Sequence, residues 1–114
     1  MSISDKIWGT TESVEINPTL EFHKIVVDKG GVCSEHKHST KWNGFFVESG
    51  ELIIRVWQND ILAETVVAAG NFIKIPPDVY HQFECTEHCT AYELYWAELR
   101  HADIERRNTG FKRA

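Results

Sequence analysis

Turn-forming residues recur at short intervals along the whole chain, and this spacing constrains the fold more than any other feature. Small groups of Gly, Pro, Asn, Asp and Ser, among them the predicted turn at Ser49-Gly50, separate short runs rich in Val, Ile, Thr and aromatic residues. These runs lie at 20–27, 45–47, 52–57, 61–68, 72–75 and 91–96. Short strands with closely spaced turns are typical of all-β sandwiches and barrels. The sequence therefore predicts an all-β fold with at most one short helix, which could form only near residues 101–107.

Apolar residues occupy both faces of the predicted strand at 52–57. Leu52, Ile54 and Val56 share one face, whereas Ile53 and Trp57 lie on the other. Such a strand fits a barrel with a packed inside and an outside covered by another strand or by a second subunit. We expect a homodimer, with Ile53 and Trp57 as candidates for its interface.

Length and charge narrow the class of protein. The 114 residues suit one domain, so residues 1–114 are expected to form a single barrel, with residues from about 100 to 114 as a peripheral tail. A net charge of −5 disfavours nucleic acid as a partner. The first residues lack the apolar run of a secretory signal, and no stretch is long and apolar enough to span a membrane. Together with three cysteines, an odd number, this favours a cytoplasmic protein without a membrane partner.

Three of the six histidines are placed as metal ligands would be. His36 and His38 are two positions apart, and on a β-strand such residues point to the same side. His81 follows a proline-containing turn that would deliver a third imidazole from a neighbouring strand. Imidazole nitrogen is a common ligand of divalent metal ions. We therefore predict that His36, His38 and His81 bind one divalent ion and leave positions open for a ligand, with occupancy falling below about pH 6.5 as imidazoles gain protons.

The spacing around these histidines resembles the two motifs of the cupin family, which here span residues 30–85. The first motif places glycine, a His-x-His sequence, glutamate and glycine at the positions of Gly30, His36, His38, Asn43 and Gly50. The second places glycine, proline, glycine, histidine and asparagine at the positions of Gly70, Pro76, Asp78, His81 and Cys85.

The resemblance implies a small double-stranded β-helix, the jelly-roll barrel of the cupin 2 and RmlC-like proteins, with a metal ion inside one mouth. It implies that His36, His38 and His81 are the ligands. It does not identify the ion, which could be Fe, Mn, Ni or Zn.

The chain departs from the family motifs at three positions: Asn43 replaces glutamate, Asp78 replaces glycine and Cys85 replaces asparagine. Asn43 either contributes a neutral amide oxygen to the ion or only bonds to the backbone. With neutral ligands the ion keeps its full double charge. It should then bind less tightly, attract anionic ligands and acidify bound water more strongly.

Glu93, Tyr95 and Cys85 are candidate substrate-binding residues. By alternation from Asn43, Glu48 should point outward, so Glu93 is the better candidate for an acid near the metal. Tyr95 is either a barrel-packing residue or, if it points inward, an acid or a substrate clamp. Cys85 shares strand parity with His81, so it either faces the barrel interior as a ligand contact or packs as a small buried hydrophobe.

Two functions fit these features. The first is a small metalloenzyme, oxygenase-like or isomerase-like, that acts on a small polar or anionic metabolite. The second is a binding module that holds a sugar or an acid on the same barrel without turnover. An acid that reaches the metal mouth would favour the enzyme, whereas a purely apolar mouth would favour the binding module.

Overall fold

The computed structural model describes residues 2–97, 99 and 101–114, which form eight β-strands. In chain order these are β1 (Ile3–Lys6), β2 (Gly9–Asn17), β3 (Leu20–Val27), β4 (Trp42–Gln58), β5 (Ile61–Ala68), β6 (Phe72–Ile75), β7 (Tyr80–Glu84) and β8 (Cys89–Trp96). The predicted all-β fold is confirmed. The helix that the sequence allowed near residues 101–107 does not form, and residues 101–114 are exposed without regular structure. Within the described part of the chain, no helix has the length and hydropathy of a membrane span.

All strand pairs are antiparallel and form two layers that share β4. The first half of β4 pairs with β8 and β6, and β8 continues the layer through β3 and β2 to β1. The second half of β4 lies between β5 and β7. The two layers face each other across the core and make the jelly-roll barrel that the sequence predicted.

Strand β4 bends at Gly50, where the sequence had indicated a turn. The predicted strands at 45–47 and 52–57 are the two halves of this one strand. The pairing with β8 shifts register between Val47 and Ser49, and Gly50 has a φ of 76°. A side chain at Gly50 would overlap the carbonyl oxygen of His88. The chain therefore uses glycine here to pass from one layer to the other rather than to reverse direction.

The core lies between the layers and is built from alternate strand residues. Leu52 and Ile54 are fully buried, as their shared face predicted, and Val56 packs against the same core. Ile53 and Trp57, on the opposite face, are half-buried. The homodimer stays a prediction. The other buried apolar side chains are Ile25, Val27, Cys33, Phe45, Val47, Val67, Ile75, Phe83, Cys85, Cys89 and Ala91.

Replacing Gly50 by alanine should destabilise the protein more than replacing Gly70 by alanine. Both glycines have a positive φ, 76° and 86°, but a Cβ at Gly70 meets nothing within 4 Å. Gly70→Ala should therefore cost only the left-handed strain of about 1–2 kcal/mol. Gly50→Ala adds a collision with backbone and should cost clearly more. Urea denaturation followed by tryptophan fluorescence measures both, and equal losses would show that the bend tolerates a side chain.

Candidate metal centre

The segment that carries His36 and His38 is not a regular strand, so the prediction that strand alternation aligns these two imidazoles was wrong. His36 instead forms an isolated antiparallel bridge with His81 at the start of β7. The His36 amide donates to the His81 carbonyl oxygen over 3.0 Å, and the His81 amide donates to the His36 carbonyl oxygen over 2.8 Å. This bridge, rather than strand alternation, sets two of the three imidazoles side by side.

Asp78 holds the segment around His38 in place through two contacts. Its backbone amide donates to the His38 carbonyl oxygen over 2.6 Å, and its carboxylate lies 3.1 Å from the Lys37 ammonium. Asp78 has a φ of 64°, so it adopts the left-handed conformation for which the family motif uses glycine. The turn before β7 therefore positions His81 and ties down the segment around His38 at the same time.

The three imidazoles converge on one point. The ring centroid of His36 lies 4.6 Å from that of His81 and 5.1 Å from that of His38, and the His38 and His81 centroids are 5.5 Å apart. One nitrogen from each ring lies within 4.8 Å of the nitrogens from the other two. These histidines are therefore positioned to bind a metal ion, as predicted.

Hydrogen bonds to carbonyl oxygens fix two of the rings in the form that binds metal. The Nδ1 atom of His36 lies 2.7 Å from the Ser34 carbonyl oxygen, and that of His81 lies 2.9 Å from the Val79 carbonyl oxygen. A carbonyl oxygen only accepts, so each Nδ1 carries the proton and each Nε2 keeps its lone pair. The buried Nε2 of His38 has no hydrogen-bond partner among the described residues. A metal ion would satisfy this nitrogen, so the residues fit such an ion.

Burial keeps two of the imidazoles neutral. It lowers the pKa of His38 to about 4, helped by electrostatic repulsion from neighbouring groups that include the Lys41 ammonium, and it lowers the pKa of His81. A proton competes with a metal ion only near or below the pKa of the ligand. Competition at these two rings therefore sets in at lower pH than the ordinary histidine value of about 6.5 suggests.

The Asn43 side chain presents its oxygen to His81. Asn43 is fully buried, and its Nδ2 donates to the Leu94 carbonyl oxygen over 3.0 Å and to Glu93 Oε2 over 3.4 Å. Because those two partners need a donor, Oδ1 must face the other way, and it lies 2.9 Å from Nε2 of His81. Two lone pairs thus point at each other, a contact that a shared cation would relieve.

Glu93 lies beside this group as a buried carboxyl. It is 8% exposed, and its Oε2 accepts a hydrogen bond of 2.9 Å from the Tyr95 hydroxyl. Burial raises the pKa of Glu93 and also that of Tyr95. The Tyr95 ring packs edge-on against His38, with centroids 5.0 Å apart. Glu48 is exposed, as its strand parity predicted.

A cavity of about 500 Å³ opens onto His36, Glu93 and Tyr95. Its wall also includes residues that the sequence did not predict: Lys6, Ile7, Trp8, Thr11, Glu21, Cys33, Ser34, Lys41 and Phe83. His23 also lines it. In β3 the alternation that buries Ile25 and Val27 also turns Glu21 and His23 inward, so strand parity could have found them.

Cys85 is not among the residues that line this cavity. It is 1% exposed, its amide donates to the Gly31 carbonyl oxygen over 3.0 Å, and its side chain belongs to the hydrophobic core. The structure thus brings Glu93 and Tyr95 to the histidines but does not bring Cys85 there. Of the two alternatives for this residue, its position matches a small buried hydrophobe.

Solved structures with similar folds include several cupins. KdgF from a Halomonas species aligns with a TM-score of 0.74 at 16% identity over 87% of this chain and 88% of that one. An RmlC-like cupin from Shewanella frigidimarina aligns with a TM-score of 0.71 at 24% identity over 85% and 84% of the two chains. A variant of oxalate decarboxylase from Bacillus subtilis gives a TM-score of 0.74 at 13% identity over 84% of this chain and 27% of that one. At these identities the similarity concerns the fold.

The amino-acid sequence itself was compared with curated protein sequences and with models of protein families. No curated protein sequence matches the chain significantly. The model of the cupin domain family matches residues 23–96, which extend from β3 to the end of β8 and include the three histidines, Asn43, Glu93 and Tyr95. This chain belongs to the cupin family.

Proposed function

We propose that the chain is a small metalloenzyme that binds one divalent ion through His36, His38 and His81, with the Asn43 amide oxygen as a fourth ligand. The observation that carries the proposal is the convergence of the three imidazoles. Hydrogen bonds hold His36 and His81 in the tautomer with the proton on Nδ1, which leaves Nε2 free to bind a metal ion. The buried Nε2 of His38 has no hydrogen-bond partner among the described residues. The proposal covers Fe, Mn, Ni and Zn, because imidazole ligands suit all four.

The charge of this centre favours a polar or anionic substrate. All four proposed ligands are neutral, so the ion's double charge is not offset by a carboxylate ligand. When bound, the ion would polarise a substrate oxygen and stabilise negative charge that develops on it. The chain's own residues would bind the substrate in the cavity and hold it beside Glu93.

Glu93 favours an enzyme over a binding module. Its carboxyl lines the cavity, and burial raises its pKa, so it can hold a proton closer to neutral pH than an exposed glutamate can. The hydrogen bond from Tyr95 fixes its orientation. A carboxyl in this position suits proton transfer between neighbouring carbon atoms, so we favour an isomerase-like reaction on a hydroxy or keto compound over an oxygenase-like one.

Replacing His38 by alanine should remove the metal while the fold persists, because its Nε2 makes no hydrogen bond within the described residues. Loss of an outer hydrogen-bond partner of a ligand typically weakens metal binding about 10–100-fold, so loss of a ligand should cost more than about 100-fold. Elemental analysis of the purified protein measures this, with the exposed His101→Ala as the control. Wild-type protein that takes up no Fe, Mn, Ni, Co or Zn would contradict the metal centre.

Replacing Asn43 by aspartate should tighten metal binding and destabilise the metal-free protein. The substitution gives the ion a charged oxygen, but it removes the donor to the Leu94 carbonyl oxygen and places a second carboxyl beside Glu93. The free energy of unfolding without metal should fall by about 1–3 kcal/mol. Metal titration and denaturation measure both effects.

Asn71→Asp is the matched control for this variant, since Asn71 makes the same kind of bond to the Ala68 carbonyl oxygen on the exposed surface. It should change neither property by a comparable amount. If Asn43→Asp leaves metal affinity unchanged, the amide oxygen is not a ligand.

Replacing Glu93 by glutamine should abolish proton transfer without removing the metal. Glutamine can still accept the Tyr95 hydrogen bond but cannot release a proton, so the rate should fall about 10²–10⁴-fold. The measurement is metal-catalysed exchange of carbon-bound hydrogen in deuterated water, followed by NMR over a set of small hydroxy and keto acids. The exposed Glu48→Gln is the control. Wild-type protein that binds such acids without exchange would identify a binding module instead.

A further inference from the structure

Three polar side chains form a connected group in the wall of the same cavity, and we call Glu21, His23 and Lys41 the rim cluster. One carboxylate oxygen of Glu21 lies 3.0 Å from Nε2 of His23, and the other accepts from the Lys41 ammonium over 3.4 Å. The Lys41 ammonium also lies over the Tyr95 ring, 4.3 Å from its centroid. All three residues line the cavity and are partly buried.

The rim cluster is placed next to the metal centre by strand register. In the pairing of β3 with β8, Glu21 lies opposite Tyr95 and His23 lies opposite Glu93. Side chains of directly paired residues on one face are close neighbours. Glu21 and His23 are therefore neighbours of Tyr95 and Glu93, and Lys41 lines the same cavity.

The side chains of the rim cluster hold one another in place in the absence of a ligand. The hydrogen bond from His23 is the main cause that lowers the pKa of Glu21, and Lys41 adds to it against the opposing effect of burial. Glu21 is therefore a carboxylate, and Lys41 is held between it and the face of Tyr95. A preformed pair loses little freedom when it binds a ligand.

A carboxylate and an ammonium side by side select the kind of group they can bind together. A carboxylate on the ligand would be attracted by Lys41 but repelled by Glu21. An ammonium on the ligand would be attracted by Glu21 but repelled by Lys41. A hydroxyl group satisfies both, because it accepts from Lys41 and donates to Glu21. Trp8 and Phe83, in edge-to-face contact at 4.9 Å, add apolar wall for the carbon skeleton.

We propose that the rim cluster binds substrate hydroxyl groups, so that the substrate is a small hydroxylated acid with its anionic end towards the histidines. This inference rests on the proposed function for the anionic end, whereas the hydroxyl contacts depend on Glu21 and Lys41 alone. The cavity volume of about 500 Å³ is in the usual range for small-molecule sites.

The test compares two probes with the same chain length and charge, gluconate and hexanoate, which differ in their hydroxyl groups. Isothermal titration of the metal-loaded protein should show gluconate binding at least about 10-fold more tightly, because a site built for a hydroxyl rejects an analogue without it. Glu21→Gln and Lys41→Met should each reduce this preference towards unity without changing the metal content. Lys74→Met is the matched control, since Lys74 also lies over an aromatic ring, that of Trp42, but does not line this cavity.

Each result decides the inference. Equal binding of the two probes, no binding of either, or a preference that survives both rim variants would overturn it. The same titration on metal-free protein separates it from the proposed function. Suppose that the protein takes up no metal but still binds gluconate more tightly than hexanoate, and that this preference is lost in the Glu21 and Lys41 variants. The proposed metal centre is then wrong, and the proposed hydroxyl-binding site is supported.

Discussion

The pair of backbone hydrogen bonds between His36 and His81 is the interaction on which the candidate site depends. It joins a segment without regular structure to the start of β7, so the two imidazoles emerge side by side. The carbonyl oxygens of Ser34 and Val79 then fix the ring tautomers, and the amide of Asp78 holds the carbonyl of His38. The site is thus organised by main-chain bonds, which tolerate changes in nearby side chains.

Asn43 connects this centre with the rest of the barrel. Its amide links the Leu94 carbonyl and Glu93 on one side to His81 on the other, and Glu93 is linked in turn to Tyr95. A glutamate at this position would offset part of the charge of a bound ion. With asparagine there, we propose that the substrate balances this charge and that Glu93, whose carboxyl lies 3.4 Å from Asn43 Nδ2, transfers the protons.

Much of the fold and part of the site could be predicted from local patterns. Alternation in β4 identified the buried face of Leu52 and Ile54 and the outward direction of Glu48. The motif spacing identified the three histidines. Two local interpretations were wrong. The sequence predicts a turn at Ser49-Gly50, but this pair lies within one continuous, bent strand. It also predicts a strand at His36 and His38, but only a single bridge, at His36, forms there. Glycine marks both turns and bends, and only the partner strands distinguish them.

The sequence by itself determined the all-β class, the cupin family and the set of imidazoles available to a metal ion, because these follow from periodicity and from spacing along the chain. Only the tertiary structure decided that the Asn43 oxygen faces His81, that Cys85 packs in the core, and that Glu21, His23 and Lys41 share a cavity with Glu93. These properties depend on contacts between residues far apart in the chain. The register of β3, β4 and β8 sets those contacts, and no local pattern encodes that register.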